Sequence, residues 1–503
     1  MRLYQKNIDW LSFLVVLLSA AGVAAASGMF ATDTFALQLP TISANSAENV
    51  HFKLRDSMTG IAVKGRITTR SGAGVQRMFG TDDAGHGRSS LIPGRQDVEI
   101  SAPGYKTLTT YFEVSVSLLD VTVWLDPDNT APEMRAETTN RKTVPGNALI
   151  HGHVIDVETG KPVKGARLLL ENSKSVVTSD VGGYFSVIVP SKTGVIPATD
   201  TLIVEIGGSP LYRRRNVILA EGASHFIIDI DRTAGLSKKD DTHKLMLPPD
   251  ELRRTQGQET DRVRPSNAVD QSNAPAAVVV PASIRVGFNC PTKLTCSTVQ
   301  VFPLDTYTRL GLDDEWFSSW HTNSLKAGAI ANRSYGVWHV FNPLTTNYDI
   351  CNTTSCQVID PNDSAASCDL ATAQTTGTIV VTSNGAGPFF AEYSAENNNG
   401  GCPDGFTGNN GSWPCLADPV DAGAAFNGHG RGMCQWGTQR WSINQGKDFV
   451  WIVNHYYNAN GNPSGLRTGI LQMSPNTILP PPTLTSPDGT AAPGTSVTTL
   501  TPT

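Results

Sequence analysis

Short alternating runs dominate the first half of the chain. Val98 and Ile100, Val114, Val116 and Leu118, Leu168 and Leu170, and Phe185, Val187 and Val189 each space apolar side chains two apart. Gly, Asp and Pro turns bound these runs, which predicts short strands of small antiparallel β-sandwiches rather than helices. The pattern also repeats. Thr59-Gly60 followed by Val63-Lys64-Gly65 recurs as Thr159-Gly160 followed by Val163-Lys164-Gly165, one hundred residues later. A second turn signal follows in each copy, Thr81-Asp82 with Gly85 and Ser179-Asp180 with Gly182.

The periodicity changes after about residue 280. Ile284-Arg285-Val286 and Val299-Gln300-Val301 still alternate, but Ser324 to Phe341 has alanines and no interior proline and reads as a helix capped by Asn323. Strands return at Ile379–Val381 and Phe389–Ala391. The expected fold is multidomain: two small all-β sandwiches, at 45–128 and 146–232, followed by an α+β C-terminal domain at 281–472. Between them, 233–280 is polar and charged and reads as a flexible linker. The stretch 473–503, opened by Pro480-Pro481-Pro482, reads as an extended Pro/Thr-rich tail.

Composition narrows the function classes. Across 503 residues, 39 basic side chains face 45 acidic ones, a formal charge of -6. No basic excess exists to neutralise phosphates, so nucleic acid is excluded as the expected partner. The single long apolar run, Trp10 to Gly22, follows Arg2 and Lys6 and ends near Ala24-Ala25-Ala26. That is the layout of a signal peptide at 1–26, with an uncleaved N-terminal anchor as the alternative and no other membrane contact expected. The mature protein is expected to be secreted, periplasmic or at the cell surface. All eight cysteines fall after residue 289, and in an oxidising compartment they read as disulfides whose connectivity stays open.

Two resemblances follow from particular motifs. Gly152-His153-Val154, Gly160-Lys161-Pro162-Val163-Lys164-Gly165-Ala166 and Gly182-Gly183-Tyr184-Phe185 resemble the carboxypeptidase regulatory-like sandwich family; the copy at 45–128, with Pro103-Gly104-Tyr105, matches more weakly. His151 and His153 share one strand there and read as an exposed face, with metal binding as the lesser alternative. Farther on come Pro303-Leu304-Asp305-Thr306-Tyr307, Asp314-Glu315-Trp316, Trp320, and Leu325-Lys326-Ala327 through Ala331-Asn332-Arg333-Ser334-Tyr335. Gly428-His429-Gly430-Arg431-Gly432-Met433-Cys434-Gln435-Trp436-Gly437 and His455-Tyr456-Tyr457 close the set. Together these resemble the sporulation stage II protein D / amidase-enhancer family, over about 282 to 460.

The resemblance implies peptidoglycan glycan strands as the target, and either a lytic transglycosylase or a non-catalytic enhancer of a cell-wall amidase. It places the catalytic acid on Glu315 and a functionally important arginine on Arg333. The residues themselves allow that chemistry. Lys326 and Arg333 are seven apart on one helix face, and Glu315 is flanked by Trp316 and Trp320. A carboxyl near aromatic surface is desolvated and keeps the proton a general acid needs, while Arg333 would oppose this. A hydrolase would want a second carboxylate at about 5 to 9 Å, for which Asp313, Asp314, Glu392 and Asp421 are the candidates. Trp316, Trp320, His429, Gln435 and Tyr456 are the expected glycan-binding residues. His429 has a second reading, as a cap on the backbone of a tight turn.

The glycine-rich passage lacks a preceding strand and a Walker lysine, so it is not read as a phosphate loop. No cofactor is expected. Some members of the resembled family carry zinc in the loop after the long helix, but here that loop offers Cys351, Ser355 and Cys356, with Ser355 at the family's His position. Two thiols do not complete a structural zinc site, even with His339 as a distant third ligand, so a disulfide is expected. Cys368 stays open as an alternative partner for either thiol.

Overall fold

The computed structural model describes residues 48–128, 145–191, 198–240, 277–382, 385, 387–396, 418–424, 427–458, 469–473 and 477–478. The expected leader at 1–26, Cys402, Cys415 and most of the tail lie outside these residues. Among the described residues no helix is long and apolar enough to cross a membrane.

The N-terminal part is β-rich throughout. In the first sandwich, the antiparallel sheet Gln76–Gly80, Arg66–Ser71, Gly94–Ser101, Leu108–Val114 faces Leu119–Leu125, Val50–Asp56 and His86–Ser89. Alternation puts Phe52 and Leu54 against Ile67, Ile100 and Phe112. In the second, Tyr184–Pro190, Asn147–Asp156 and Gly222–Ile230 cover Val176–Thr178, Arg167–Leu170, Thr199–Ile206, Ser209–Ile218 and Ser237–Asp240. Ile150, Val154, Phe185, Leu202 and Phe226 fill the space between.

The sequence repeat is a repeat of turn chemistry. Asp56 accepts the backbone N–H groups of Met58 and Thr59, and Asp156 that of Thr159. Asp82 accepts those of Ala84 and His86, as Asp180 accepts those of Gly182 and Tyr184. Each carboxylate closes a turn its own backbone could not satisfy.

The C-terminal domain adds five helices among the described residues: α1 (Leu304–Glu315), α2 (Thr322–Phe341), α3 (Ala366–Ala373), α4 (Gln435–Gln445) and α5 (Phe449–Tyr457). The buried helix α2 packs against the other four. It begins earlier than its sequence implies: the cap is His321, whose Nδ1 accepts the N–H of Asn323 at 3.2 Å. Gly328 admits the Trp316 ring, since a Cβ there would stand 2.6 Å from it.

The sandwiches are not separate beads on a string. Val299–Val301 pairs in parallel with Val121–Val123, so a single six-stranded sheet runs from Ile350–Cys351 through Ser283–Phe288 and Thr298–Pro303 into the first sandwich. Asp363–Ala365 pairs with Ser224–Phe226 and extends the second. Each sandwich has an edge whose backbone groups need partners, and strands of the C-terminal domain supply them. The polar stretch expected as linker from 233 begins with an ordered strand, Ser237–Asp240, parallel to Tyr212–Arg215. It ends with Val278, whose N–H and C=O are both held by the Gln472 side chain.

Candidate active site

Glu315 ends α1 and has no exposed surface. One carboxylate oxygen accepts the N–H of Val358 at 3.2 Å, and the other accepts from the Gln435 side-chain amide at 3.3 Å. The same amide nitrogen donates to the Glu315 carbonyl at 2.6 Å. Gln435 opens α4, so this contact ties the two sequence motifs together across 120 residues.

Around this carboxyl lies a ring of aromatic groups. The Tyr307 hydroxyl donates to Gln357, whose amide donates to the Tyr393 hydroxyl at 2.8 Å. Burial pushes both phenols well above their usual range, and the nearby Glu315 charge adds to the shift. Trp316 packs on Tyr393 with ring centres 4.9 Å apart and donates its indole N–H to Thr438. Trp320 meets Trp436 at 4.8 Å. The site is dry, aromatic and closed.

Arg333 does not face Glu315. Its guanidinium pairs with Asp305 at 2.8 Å and donates to the carbonyls of Thr372, Thr375 and Thr378 at the end of α3. Asp305 lies ten residues before Glu315, which puts the two sites roughly 15 Å apart along α1. Lys326 stands over the Phe449 ring at 5.4 Å instead. The shared helix face is real, but different neighbours cover its two ends, so the expected meeting of Glu315 with both cations does not occur.

The expected glycan-binding side chains are also interior. Trp316, Gln435 and Tyr456 have no exposed surface, and Trp320 and His429 have less than a tenth. His429 Nδ1 accepts the N–H of Arg431 at 3.1 Å, which is the turn-capping role. Tyr456 donates to Asp418. The candidate second carboxylates each have partners elsewhere: Glu392 with Arg431, Asp421 with Arg440, Asp314 with the N–H of Asp360, Asp313 with the Cys368 thiol. Gln357, Val358 and Tyr393 had no local signal, because their role depends on contacts 36 to 50 residues or more away.

An open cavity of about 430 Å³ lies on the far side of Val358. Asp314, Val358, Ile359 and Asp360 line it from the C-terminal domain, and Arg55, Arg214 and Lys239 from the sandwiches. Arg214 pairs with Asp360 at 2.8 Å and Asp363 at 2.5 Å, and Lys239 reaches Asp360 at 3.6 Å. Burial would raise the Asp360 carboxyl, but these two cations hold it well below the usual range. The backbone that seals Glu315 is therefore held from behind by the second sandwich.

Cys290–Cys296 and Cys351–Cys356 are disulfides. The zinc alternative with His339 therefore finds its two thiols already joined. Cys368 and Cys434 are buried thiols outside these bridges, which corrects the expectation that all the cysteines crosslink. Among the described residues, one set of metal-type donors gathers within 4.8 Å: Glu396, Asp421 and Cys434. Arg440 already bridges its two carboxylates, at 2.7 and 2.5 Å, and supplies the positive charge.

Residues 292–381 match the family described as Stage II sporulation protein. That span holds Glu315, Lys326, Arg333 and the Cys351–Cys356 disulfide, but neither Cys290 nor the 428–437 motif. No curated protein matches the chain. Similar solved structures include the Bacillus anthracis TIE protein (12% identity, 38% of this chain and 32% of that one, TM-score 0.14). A streptococcal ancillary pilin shares 19% identity over 38% of this chain and 61% of its own, TM-score 0.14. The shaft pilin SpaA of Lactobacillus rhamnosus GG shares 11% over 38% and 98%, TM-score 0.14. The chain thus spans about a third of the first of these and under two thirds of the second. The similarity to the Stage II sporulation protein family thus rests on residues 292–381, within the C-terminal domain.

Proposed function

We propose that this protein works at the bacterial cell wall, outside the cytoplasm, and cleaves peptidoglycan glycan strands as a lytic transglycosylase with Glu315 as its general acid. The observation that carries the reading is a carboxyl inside the matched family segment, closed off from water among Trp316, Tyr307 and Tyr393. Protonated Glu315 gives its proton to the glycosidic oxygen as the bond to the anomeric carbon breaks. The resulting carboxylate faces an oxocarbenium-like centre. The sugar's own 6-hydroxyl then attacks that centre and returns its proton to Glu315, closing a 1,6-anhydro ring without consuming water. A second carboxylate is not needed, in keeping with the partners that Glu392, Asp421 and Asp314 already have.

Glycan reaches Glu315 only if Val358 and its neighbours move away from the carboxylate. This requirement favours a second reading, in which the closed domain binds glycan and stimulates a cell-wall amidase. The two Glu315 oxygens engaged by Val358 and Gln435 are the observation behind it.

Mass spectrometry of products from purified, peptide-free glycan strands separates the readings. Transglycosylation leaves 1,6-anhydro ends, one water lighter than hydrolysis products, and Glu315→Gln lowers the rate by about 10²–10⁴-fold with glycan binding retained. Reducing-end products would point to a hydrolase. Binding without release, together with acceleration of an added amidase, would establish the enhancer.

A further inference from the structure

We propose that the second sandwich carries a binding site for a borderline divalent cation such as Zn²⁺, built from His151, His153 and His225. His151 and His153 are two apart on the strand Asn147–Asp156, so both rings leave the same face of the sheet. His225 stands opposite His151 on the parallel neighbour Gly222–Ile230. The His225 ring centre lies 5.1 Å from that of His151 and 6.0 Å from that of His153. Tyr184 closes another side, 5.4 Å from His153. Gly152 lets the strands approach: a Cβ there would lie 1.8 Å from the Phe226 carbonyl oxygen.

The spacing suits imidazole ligands. A tetrahedral ion bound at about 2.0–2.1 Å holds two imidazole centres roughly 5 Å apart. His151 and His225 already have that separation. His153 has to close by roughly 1 Å, within reach of a side-chain torsion. The ring nitrogens of the three do not yet meet at one point, so binding would draw them together. A separate observation concerns His153 itself: its Nδ1 is buried without a hydrogen-bond partner. Three neutral nitrogens favour ions of the Zn²⁺ and Cu²⁺ class over Mg²⁺ or Ca²⁺.

The first sandwich supplies an internal control. His51 occupies the place of His151 in the repeat, Lys53 that of His153, and Asp120 lies opposite His51 as His225 lies opposite His151. His86 pairs with Lys53 as Tyr184 pairs with His153. There, however, His51 uses both nitrogens, on Asp120 at 2.6 Å and on His86 at 2.7 Å. Lys53 adds a cation where the second sandwich has a ligand. One copy has satisfied its imidazole within the sandwich, and the other gathers three rings on one face.

The test is titration of the full-length chain with Co²⁺, read by its visible absorption, and with Zn²⁺, read by calorimetry. One equivalent with tetrahedral Co²⁺ bands is expected, together with a Zn²⁺-dependent rise in melting temperature. His225→Gln should weaken binding at least about tenfold, as one ligand of three is lost, and His51→Gln and Cys434→Ser should leave it unchanged. His153→Gln is the second variant, checked by its metal-free melt, in case His225→Gln fails to fold. Absence of uptake by the wild-type chain overturns the proposal. So does binding that survives His225→Gln and His153→Gln but disappears in Cys434→Ser.

Discussion

In the two sandwiches, alternating strands bury Phe52, Ile67, Ile150 and Phe226, while pairs such as Arg167 with Glu205 and Lys64 with Asp83 stay at the surface. The C-terminal domain does the reverse. Arg285, Arg333 and Arg431 are at most 4% exposed, and Glu315 and Glu392 at most 2%. A buried charge costs several kcal/mol unless it is paired and hydrogen-bonded, so a domain that keeps several is spending stability on arrangement. The two fully or nearly fully buried arginines of the sandwiches that pair across elements, Arg55 and Arg214, lie where the regions meet. Arg214 reaches Asp360 and Asp363 of the C-terminal domain. Buried arginine that pairs across elements thus marks two places among the described residues, the C-terminal domain and the seams between regions.

The sharpest way to break this comparison is to neutralise one arginine on each side. Arg333→Met should cost about 3–5 kcal/mol, because it leaves Asp305 and the carbonyls of Thr372, Thr375 and Thr378 without their donor. Arg167→Met, at an exposed pair with Glu205, should cost under about 1 kcal/mol. Urea denaturation of the two variants measures both. Equal losses would remove the distinction. The same pair of variants bears on catalysis: glycan cleavage lost in Arg333→Met but restored by lowering the temperature would make Arg333 a residue of the fold.

A smaller effect should come from the crosslinks, which only the C-terminal region possesses. Each closes a loop of five or six residues, for which the chain-entropy account gives about 2 kcal/mol. Cys351→Ser/Cys356→Ser should loosen the edge strand Ile350–Cys351, which hangs on the six-stranded sheet through Val286 and Gly287. Hydrogen exchange should quicken there while the amides of Asn147–Asp156, which borders no cysteine, keep their protection. Uniform quickening across both strands would mean that the continuous sheet transmits the loss.

How much could be read from sequence follows the same division. The sandwiches were legible because period-two alternation and Asp/Gly turns are local signals, and the one-hundred-residue repeat states them twice. Ser237–Asp240 was missed because an exposed edge strand of Ser, Lys and Asp carries no apolar pattern. The fusion of the sheets had no local sign either, since Val299–Val301 reads as a strand whatever it pairs with. In the C-terminal domain the buried helix was legible from composition. What Arg333 touches was not: seven residues on a helix fixes a face, but the neighbours covering that face come from distant segments. The cap that His429 makes on its own turn was legible, because it is a contact only two residues long.

The last effect is confined to one titrating group, Asp421, and is read as a change in pH dependence. Burial, with the charges of Asp418 and Glu396, pushes its pKa up to about 7. The unfolded chain titrates this group near 3.8, so between about pH 4 and 7 the folded protein holds the proton more tightly than the unfolded one. Stability from this group is complete below about 4 and is lost as pH rises through 7. Asp418 behaves oppositely: burial opposes it, but His455, Tyr456 and Trp441 hold its carboxyl lower, so its contribution falls away only in acid, below its ordinary range. The two windows are therefore separable. Asp421→Asn keeps an oxygen for the Arg440 bond now 2.5 Å long, and removes only the titration. Its urea midpoint should gain on the wild type steadily from pH 4 to 7 and level off above. Parallel curves over that range would mean that Arg440 keeps Asp421 ionised throughout, and the buried cluster would then hold its charge as firmly as Arg333 and Asp305 do.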